Sequence, residues 1–304
     1  MKVVELSGGV GVARMARGFD QVRNCEFTVI VNVGDDERIH GLHISPDIDT
    51  VIYTLAGVEG PEGWGRAEDS FNLNNELPRF GVDNTFLLGD RDLALNLFRT
   101  SSLSAGESLS AITSTIAKGF GVTADVIPAT DNSLRTEIEV DGDEWLSFQE
   151  YFVLRQNQDT VTAVRFEGAD LARPAPRVVA GIEDADLVVI GPSNPPLSIW
   201  PILAIDGVRS ALSDHPNVVA VSPLFGGKAL KGPADRVMKS LGLSAGNAGV
   251  VEVYEGLIDT LVIDTQDADD VSQLSTVRTS VTDTRIKDPV AAGRLAEELM
   301  HIEP

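Results

Sequence analysis

The sequence predicts an α/β protein: a Rossmann-like, doubly wound and mainly parallel sheet with a small inserted β-rich subdomain. Short β-branched runs alternate with helix-like segments along most of the chain, which is typical of βαβ units. Runs such as Leu187-Val188-Val189-Ile190 are continuously apolar, as expected for parallel strands covered on both faces. The middle of the chain departs from this alternation, and there we expect the insert.

The strands of the sheet are predicted from short apolar runs, and the helices from the longer segments between them. Predicted strands cover residues 2–6, 27–32, 124–128, 186–190, 217–221 and 260–264. Predicted helices cover residues 13–21, 49–56, 104–120, 199–205 and 233–241. The alternation of the two sets indicates one α/β domain over residues 1–304.

The insert is predicted at approximately residues 123–166, where strand-like runs follow one another without helices. Candidate strands there are 136–140, 144–147 and 160–165. Asp141-Gly142-Asp143 separates the first two, and an Asp-Gly turn between such runs indicates a β-hairpin.

Composition narrows the class of protein. Hydrophobic residues make up 43% of the chain, and 46 acidic against 24 basic residues give a formal net charge of -22. That field repels polyanions, so we expect no nucleic-acid partner, and a phosphorylated substrate needs local compensation by cations, helix N-termini or metal. The chain shows no signal-peptide pattern and no apolar run of membrane-spanning length. We therefore expect a cytoplasmic protein with no membrane partner.

A glycine-rich turn follows the first predicted strand. It reads Ser7-Gly8-Gly9-Val10-Gly11, with Arg14 three residues later. Backbone N–H groups exposed by such a turn suit phosphate, so these residues are candidate ligands of a substrate. Arg14 replaces the third glycine of a dinucleotide fingerprint, and no lysine completes a P-loop. Two alternatives stay open: a turn needed only for tight strand-to-helix geometry, and an Arg14 that points into solvent.

Two acidic loops follow the second predicted strand. Asn32-Val33-Gly34-Asp35-Asp36 ends that strand, and Pro46-Asp47-Ile48-Asp49 opens a helix. Clustered carboxylates suit Mg²⁺, which bridges protein and phosphate oxygens. We therefore predict a magnesium site from Asp35, Asp47 and Asp49. The alternatives are an Asx-rich turn and helix N-capping. His40 and His43 lie nearby without the context of a zinc site, which favours a structural or surface role.

Further polar loops follow later apolar runs, where ligands of open α/β sheets bind. In Gly89-Asp90-Arg91-Asp92, Arg91 either clamps a phosphate or pairs with its flanking aspartates. The rigid loop Gly191-Pro192-Ser193-Asn194-Pro195 is predicted to bind a ligand, with a plain tight turn as the alternative. Ser222 follows the 217–221 run in a parallel loop and is a candidate for substrate binding. Lys228 is a candidate to neutralise phosphate, although solvated lysines are the usual case.

Together these loops form a series that is more specific than any single motif. The series is Ser7-Gly8-Gly9-Val10-Gly11, Asn32-Val33-Gly34-Asp35-Asp36, His40-Gly41, Ser45-Pro46-Asp47-Ile48-Asp49-Thr50, Trp64-Gly65, Leu88-Gly89-Asp90-Arg91-Asp92, Phe148-Gln149-Glu150-Tyr151, Gly191-Pro192-Ser193-Asn194-Pro195 and Ser222-Pro223. It closely resembles the 2-phospho-L-lactate transferase family, which acts in biosynthesis of the deazaflavin coenzyme F-420. The resemblance runs to about residue 289. Val12 is a departure, since some relatives carry glycine there.

The resemblance implies a Mg²⁺-dependent transferase. The donor is a guanosine diphosphate ester of a small phosphorylated acid, and the acceptor is the terminal hydroxyl of the riboflavin-like deazaflavin Fo. Attack at the phosphorus that bears the small acid releases GMP. Members of the family are commonly homodimers. Phospholactate, phosphoenolpyruvate and 3-phosphoglycerate all fit this pattern as the small acid.

Residue roles carried over from the resemblance follow the loops. Residues 8–11, Asn32 and the 191–195 loop hold nucleotide or phosphate. Asp47 and Asp49, with Asp35 or Asp36, hold the metal or orient the attacking hydroxyl. Phe148 contacts the flat acceptor ring, or else belongs to a buried aromatic pair that holds the insert to the core.

Two other functions compete with this one. A related family of α/β proteins binds nucleotide sugars and regulates metabolism without catalysis. The 89–92 and 148–151 motifs favour the transferase, because a nucleotide sensor needs no acceptor pocket. A nucleotide-dependent kinase or phosphatase is disfavoured by the missing P-loop.

Overall fold

The structure is a computed structural model that describes residues 1–302. Its strands are β1 Lys2–Ser7, β2 Glu26–Val31, β3 Glu37–Ile39, β4 Leu42–Ile44, β5 Asp125–Pro128, β6 Arg135–Val140, β7 Glu144–Ser147, β8 Val161–Glu167, β9 Leu187–Ile190, β10 Val218–Val221, β11 Leu224–Phe225, β12 Lys228–Ala229, β13 Thr260–Asp264 and β14 Arg278–Thr282.

Helices cover both faces of the sheet that these strands build. They are α1 Val10–Gln21, α2 Pro46–Ala56, α3 Asn72–Glu76, α4 Asp90–Ser104, α5 Leu109–Gly119, α6 Val178–Glu183, α7 Trp200–Leu203, α8 Val208–Ser213, α9 Ala234–Ser240, α10 Asn247–Val253 and α11 Pro289–Met300. Short 3-10 or π turns lie at Leu77–Phe80, Glu150–Leu154, Pro195–Ile199 and Thr265–Gln273. No helix in residues 1–302 has both the length and the apolar character needed to cross a membrane.

The central sheet confirms the predicted α/β class. Its strand order is β14-β13-β10-β9-β1-β2-β5, and each neighbouring pair is parallel. The chain builds outward from β1 in one direction through β2 and β5, and in the other through β9 and β10. The topological switch point therefore lies between β1 and β9, where open α/β sheets form their ligand crevice.

The core runs along both faces of this sheet. Leu187-Val188-Val189-Ile190 and Val218-Val219-Ala220-Val221 are completely buried or nearly so, which explains their lack of alternation. On one face α1 crosses α11 closely at Gly18, where any β-carbon would collide with the carbonyl of Ala292.

The predicted hairpin forms, and a third strand completes its sheet. β6 pairs antiparallel with β7 and with β8, in the order β7-β6-β8. β5, which begins the stretch predicted as the insert, instead pairs with β2 in the central sheet. The antiparallel sheet therefore starts at Arg135 and ends at Glu167.

Two helix predictions differ from the structure. Residues 104–120 are predicted as one helix, but α4 ends at Ser104 and α5 begins at Leu109, because Gly106 takes a positive φ of 91° between them. The predicted helix 199–205 is a π turn at Pro195–Ile199 followed by the short α7.

Candidate active site

The loops after β1 and β9 meet at the switch point. The Ser193 hydroxyl donates a hydrogen bond to the carbonyl oxygen of Gly8 over 2.6 Å. A β-carbon on Gly11 would lie 3.0 Å from the carbonyl oxygen of Pro192, and one on Gly191 would collide with Val12. The glycines therefore allow close backbone approach, and the structure brings the predicted 7–11 and 191–195 loops together.

The N-terminus of α1 opens into this crevice. Gly9 is its N-cap residue with a positive φ of 84°, and no side chain caps the first turn. The Gly9 N–H donates to Asp47 Oδ1 over 2.8 Å. Uncapped N–H groups at the start of a 12-residue helix favour an anion, and phosphate binding at this turn stays a prediction. Arg14 lies half-buried one turn further along α1, beside the 57–66 loop.

Asn32 links the two acidic loops. Its amide nitrogen donates to Asp35 Oδ1 and to Asp47 Oδ2, both over 3.0 Å, and its carbonyl oxygen accepts from the Gly34 N–H over 2.8 Å. Asn32 is fully buried, and both carboxylates are nearly so. The Asn32 amide thus holds the loop after β2 against the first turn of α2, because it bonds one carboxylate from each.

Burial makes these two carboxylates hard to ionise. It raises the pKa of Asp35 well above its usual value, and the nearby Asp47 charge adds to the rise. Burial also raises the pKa of Asp47 to about 6, although hydrogen bonds from Asn32 and the Gly9 N–H lower it. A bound cation would relieve this cost because it favours both charged forms.

The donor set agrees with the expected Mg²⁺ in its chemistry. No group of three or more His, Cys, Asp or Glu side chains within residues 1–302 is arranged to hold a metal. Asp35 and Asp47 supply two carboxylates beside a helix N-terminus that suits phosphate. Mg²⁺ commonly takes one or two carboxylates and completes its shell with substrate phosphates and water.

Asp36 belongs to a neighbouring set of contacts. Its Oδ2 lies 2.8 Å from His43 Nε2 and accepts from the Ser45 hydroxyl over 2.8 Å. Its Oδ1 is buried and has no hydrogen-bond partner in the described part of the chain. His43 is a member of this site that the sequence did not identify as one. The only signal was its nearness to the acidic loop in sequence.

Asp49 does not join the Asn32 cluster. Both its oxygens accept from the guanidinium of Arg99, one of them over 3.1 Å. Arg99 is 0% exposed. Burial raises the pKa of Asp49 to about 7, and the charge of Arg99 opposes that rise. The arginine thus occupies both Asp49 oxygens in this structure, and a metal role for Asp49 stays a prediction.

The antiparallel sheet closes one side of the acidic loop. Gln149 donates its side-chain N–H to the carbonyl oxygen of Asp35 over 2.9 Å. Phe148 stacks on Phe152 with ring centroids 5.3 Å apart. The prediction placed Phe148 against the acceptor ring or in a buried aromatic pair. The stacked partner, Phe152, lies outside the 148–151 motif and is 38% exposed, so this pair is not a buried one, and contact of Phe148 with the acceptor ring stays a prediction.

Ser222 and Lys228 lie on the other side of the switch point. The buried Ser222 hydroxyl donates to Asn247 Oδ1 over 2.6 Å and accepts from the Leu224 N–H over 3.2 Å. These contacts engage the proton of the hydroxyl within the protein, and substrate binding by Ser222 stays a prediction. Lys228 is exposed on the β11–β12 hairpin.

Arg91 is exposed in the first turn of α4. Asp90 accepts from Ser70, Asn72 and Leu73, and Asp92 accepts from the Tyr53 hydroxyl over 2.6 Å. The flanking aspartates are thus bound elsewhere, and the phosphate clamp stays a prediction.

The chain is similar to a family of known transferases. A family model described as 2-phospho-L-lactate transferase CofD matches residues 3–294. A phosphoenolpyruvate transferase of Streptomyces coelicolor is 41% identical and covers 90% of this chain and 88% of its own. A 2-phospho-L-lactate transferase of Methanocaldococcus jannaschii is 38% identical over 98% of this chain and 97% of its own.

A solved structure supports the fold. A UPF0052 family member from Bacillus halodurans superposes with a TM-score of 0.66 at 18% identity, over 99% of both chains. At that identity the likeness concerns architecture alone.

Proposed function

The chain belongs to the 2-phospho-L-lactate transferase family, and from that premise we propose its reaction. It transfers a phosphorylated small carboxylic acid from a guanosine diphosphate ester to the terminal hydroxyl of the deazaflavin Fo and releases GMP, in coenzyme F-420 biosynthesis. The observation that carries the proposal is the buried Asp35–Asn32–Asp47 cluster, which sits against the uncapped N-terminus of α1 at the switch point.

The donor diphosphate is assigned to the crevice between the β1 and β9 loops. The N-terminus of α1 beside it has no side-chain cap, and the Ser193–Gly8 hydrogen bond fixes the two loops against each other. In a chain of net charge -22, a diphosphate needs such local positive potential. Pro192 and Asn194 lie on the same loop, and the buried Oδ1 of Asn194 has no protein partner within residues 1–302, which leaves it available to a ligand.

Asp35 and Asp47 are assigned to Mg²⁺. When bound, the ion would supply charge neutralisation at the diphosphate, where positioning and electrostatics dominate phosphoryl-type transfer. Asn32 keeps the two carboxylates together through its amide, and the Gly9 N–H keeps Asp47 beside the helix N-terminus.

Asp36 is assigned to the attacking hydroxyl. Its Oδ2 is fixed by His43 and Ser45, while Oδ1 has no protein partner in the described residues. In the reaction a bond forms between the acceptor oxygen and phosphorus, and the bond from that phosphorus to the GMP oxygen breaks. The hydroxyl proton passes to Asp36, and GMP leaves as its anion.

The test is a reconstituted reaction with Fo, Mg²⁺ and each of three donors, made with phospholactate, phosphoenolpyruvate or 3-phosphoglycerate. We expect GMP release together with a deazaflavin product whose mass identifies the acid. Replacing Fo by buffer is the control for simple donor hydrolysis. Fo binding is measured by the fluorescence of Fo. If the protein binds the guanine nucleotide but not Fo, the transferase function is refuted and a nucleotide-binding regulatory protein is favoured.

A further inference from the structure

A cavity of about 50 Å³ separates the acidic loop from the antiparallel sheet. Asp36 lines it from the loop side, and Thr136, Ser147 and Phe148 line it from the sheet side. The cavity adjoins the Asp35–Asn32–Asp47 cluster, because Asp35 and Gly34 form part of its wall. Its volume accommodates a few non-hydrogen atoms, such as part of a hydroxylated chain.

Two polar atoms of residues in this wall are buried without partners. The Thr136 side chain is 1% exposed, and its hydroxyl has no hydrogen-bond partner among residues 1–302. Asp36 Oδ1 is also buried and has no hydrogen-bond partner in the described part of the chain. Native proteins rarely leave such groups unpaired, so each requires an explanation. A β-carbon on Gly34 would lie 2.5 Å from the Thr136 hydroxyl oxygen, so that oxygen reaches the acidic loop.

The chemistry of the wall selects a neutral hydroxyl group. A carboxylate oxygen accepts a hydrogen bond, and a threonine hydroxyl both donates and accepts, so an alcohol group is a suitable partner for either of them. Glu37, Glu137 and Glu167 also line the cavity, and Arg135 is the basic residue among them. Arg135 lies 3.9 Å from Glu37, and Arg165 pairs with Glu137, but carboxylates still outnumber the arginines here, so the wall opposes entry of a phosphate. The diphosphate donor therefore belongs to the crevice at α1, and the cavity is left for the other substrate.

We propose that this cavity binds the hydroxylated chain of the acceptor and that Thr136 is a specificity-determining residue for it. The inference rests on the proposed function. Phe148 lines the same cavity and stacks on the partly exposed Phe152, so an apolar aromatic surface adjoins the polar pocket. A flat ring that carries a polyol chain matches this combination, with the ring on the aromatic pair and hydroxyls on Thr136 and Asp36.

The test is Thr136→Val, which removes the hydroxyl and keeps the shape of the side chain. We expect Fo affinity, measured by fluorescence titration, to fall about tenfold, because a bound hydroxyl loses a partner in a buried site. GDP affinity should stay within about twofold, because the donor crevice is untouched. Thr136→Ser keeps the hydroxyl and should bind Fo nearly as the wild type does.

Thr113→Val is the matched control. Thr113 is also fully buried with an unpartnered hydroxyl, but it lies in α5 and does not line the cavity. It should leave Fo affinity unchanged. Equal Fo affinity of Thr136→Val and the wild type would overturn the inference while the proposed function stands. Absence of Fo binding by the wild type would overturn the proposed function and this inference with it. Thermal melting checks that all three variants are folded.

Discussion

Two polar clusters stand at the carboxyl edge of the same sheet, one beyond β1 and β2 and the other beyond β10 and β13. In the second, Asp267 accepts from the N–H groups of Gly226 and Gly227, and Asn247 donates to Asp270. The first contains carboxylates that share an amide, with unpartnered oxygens on Asp36 and Asn194 nearby. A cluster whose polar groups all have hydrogen-bond partners in the protein stabilises its loops. A cluster that contains polar groups without such partners is suited to bind a ligand.

The same contrast appears within one helical turn. Asp47 and Asp49 both lie in the first turn of α2, and both are buried. Asp47 faces the Asn32 amide and the Gly9 N–H, whereas Asp49 is paired with a buried arginine. Asp49 therefore stabilises the fold directly, and Asp47 is the carboxylate of the two that we propose for the cation.

The largest expected effect is the loss of stability on substitution of Asp49, the aspartate that is paired with an arginine. Asp49→Ala leaves the Arg99 guanidinium buried without its charged partner and with Asn96 as its remaining side-chain acceptor, so the free energy of unfolding should fall by about 3–5 kcal/mol. Urea denaturation followed by circular dichroism measures the change. The double variant Asp49→Leu with Arg99→Met should recover most of the loss, because it removes both charges. If Asp49→Ala keeps full stability but loses turnover, Asp49 acts at the metal after all.

Asp47→Asn should produce the opposite pattern. It removes a proposed metal ligand while keeping the shape of the side chain, so GMP release should fall about 100- to 1000-fold, a loss comparable to removing a key electrostatic contact at a reacting centre. Stability without Mg²⁺ should change little, because removal of a buried charge offsets the loss of one of the two hydrogen bonds that Asp47 accepts. Asp269→Asn, at an exposed position of the β13 side, is the matched control and should keep wild-type turnover. Wild-type turnover by Asp47→Asn would contradict the assignment.

The third prediction concerns pH and metal. The pKa of Asp47 is about 6 in the fold against an ordinary value near 3.8, so the folded state holds the proton more tightly than the unfolded state. This contribution to stability is fully present below about pH 4 and is lost as the pH rises through about 6. Without metal, the melting temperature of Asp47→Asn relative to the wild type should therefore rise by a few degrees between pH 4.5 and pH 7.5.

Added Mg²⁺ provides the complementary measurement. It should raise the melting temperature of the wild type more at pH 7.5 than at pH 4.5, since its ligands are then deprotonated. Asp47→Asn should lose most of this response. A Mg²⁺ effect that is equal at both pH values in both proteins would count against a site at Asp35 and Asp47.

The sequence predicted those parts of the fold that depend on local pattern. Six strands of the central sheet are confirmed within about two residues, because buried parallel strands are short continuous apolar runs. The helix Asp90–Ser104 was not predicted, since exposed Leu97 and Phe98 and the buried Arg99 obscure its apolar stripe.

Prediction of the site was limited by side-chain contacts between residues that are far apart in the sequence. Strand-end logic brought the glycine turn, the acidic loops and the 191–195 loop to one edge of the sheet. It could not reveal that Arg99 reaches Asp49 across 50 positions, or that Ser222 is bonded to Asn247. Residue type and spacing identify groups that can bind a ligand, but only tertiary contacts show which of them are already used.

The smallest expected effects concern two serines at the ends of adjacent strands, Ser193 after β9 and Ser222 after β10. Their substitution compares the two sides of the sheet edge. Ser222→Ala breaks the bond to Asn247 and should cost about 1–2 kcal/mol of stability, while kcat/KM for the donor stays within about twofold. Ser193→Ala removes the hydroxyl that holds Gly8, so it should raise the KM for the donor severalfold. Steady-state GMP release and thermal melting measure both variants. If Ser222→Ala raised the donor KM as much as Ser193→Ala does, the loop after β10 would position the donor as well.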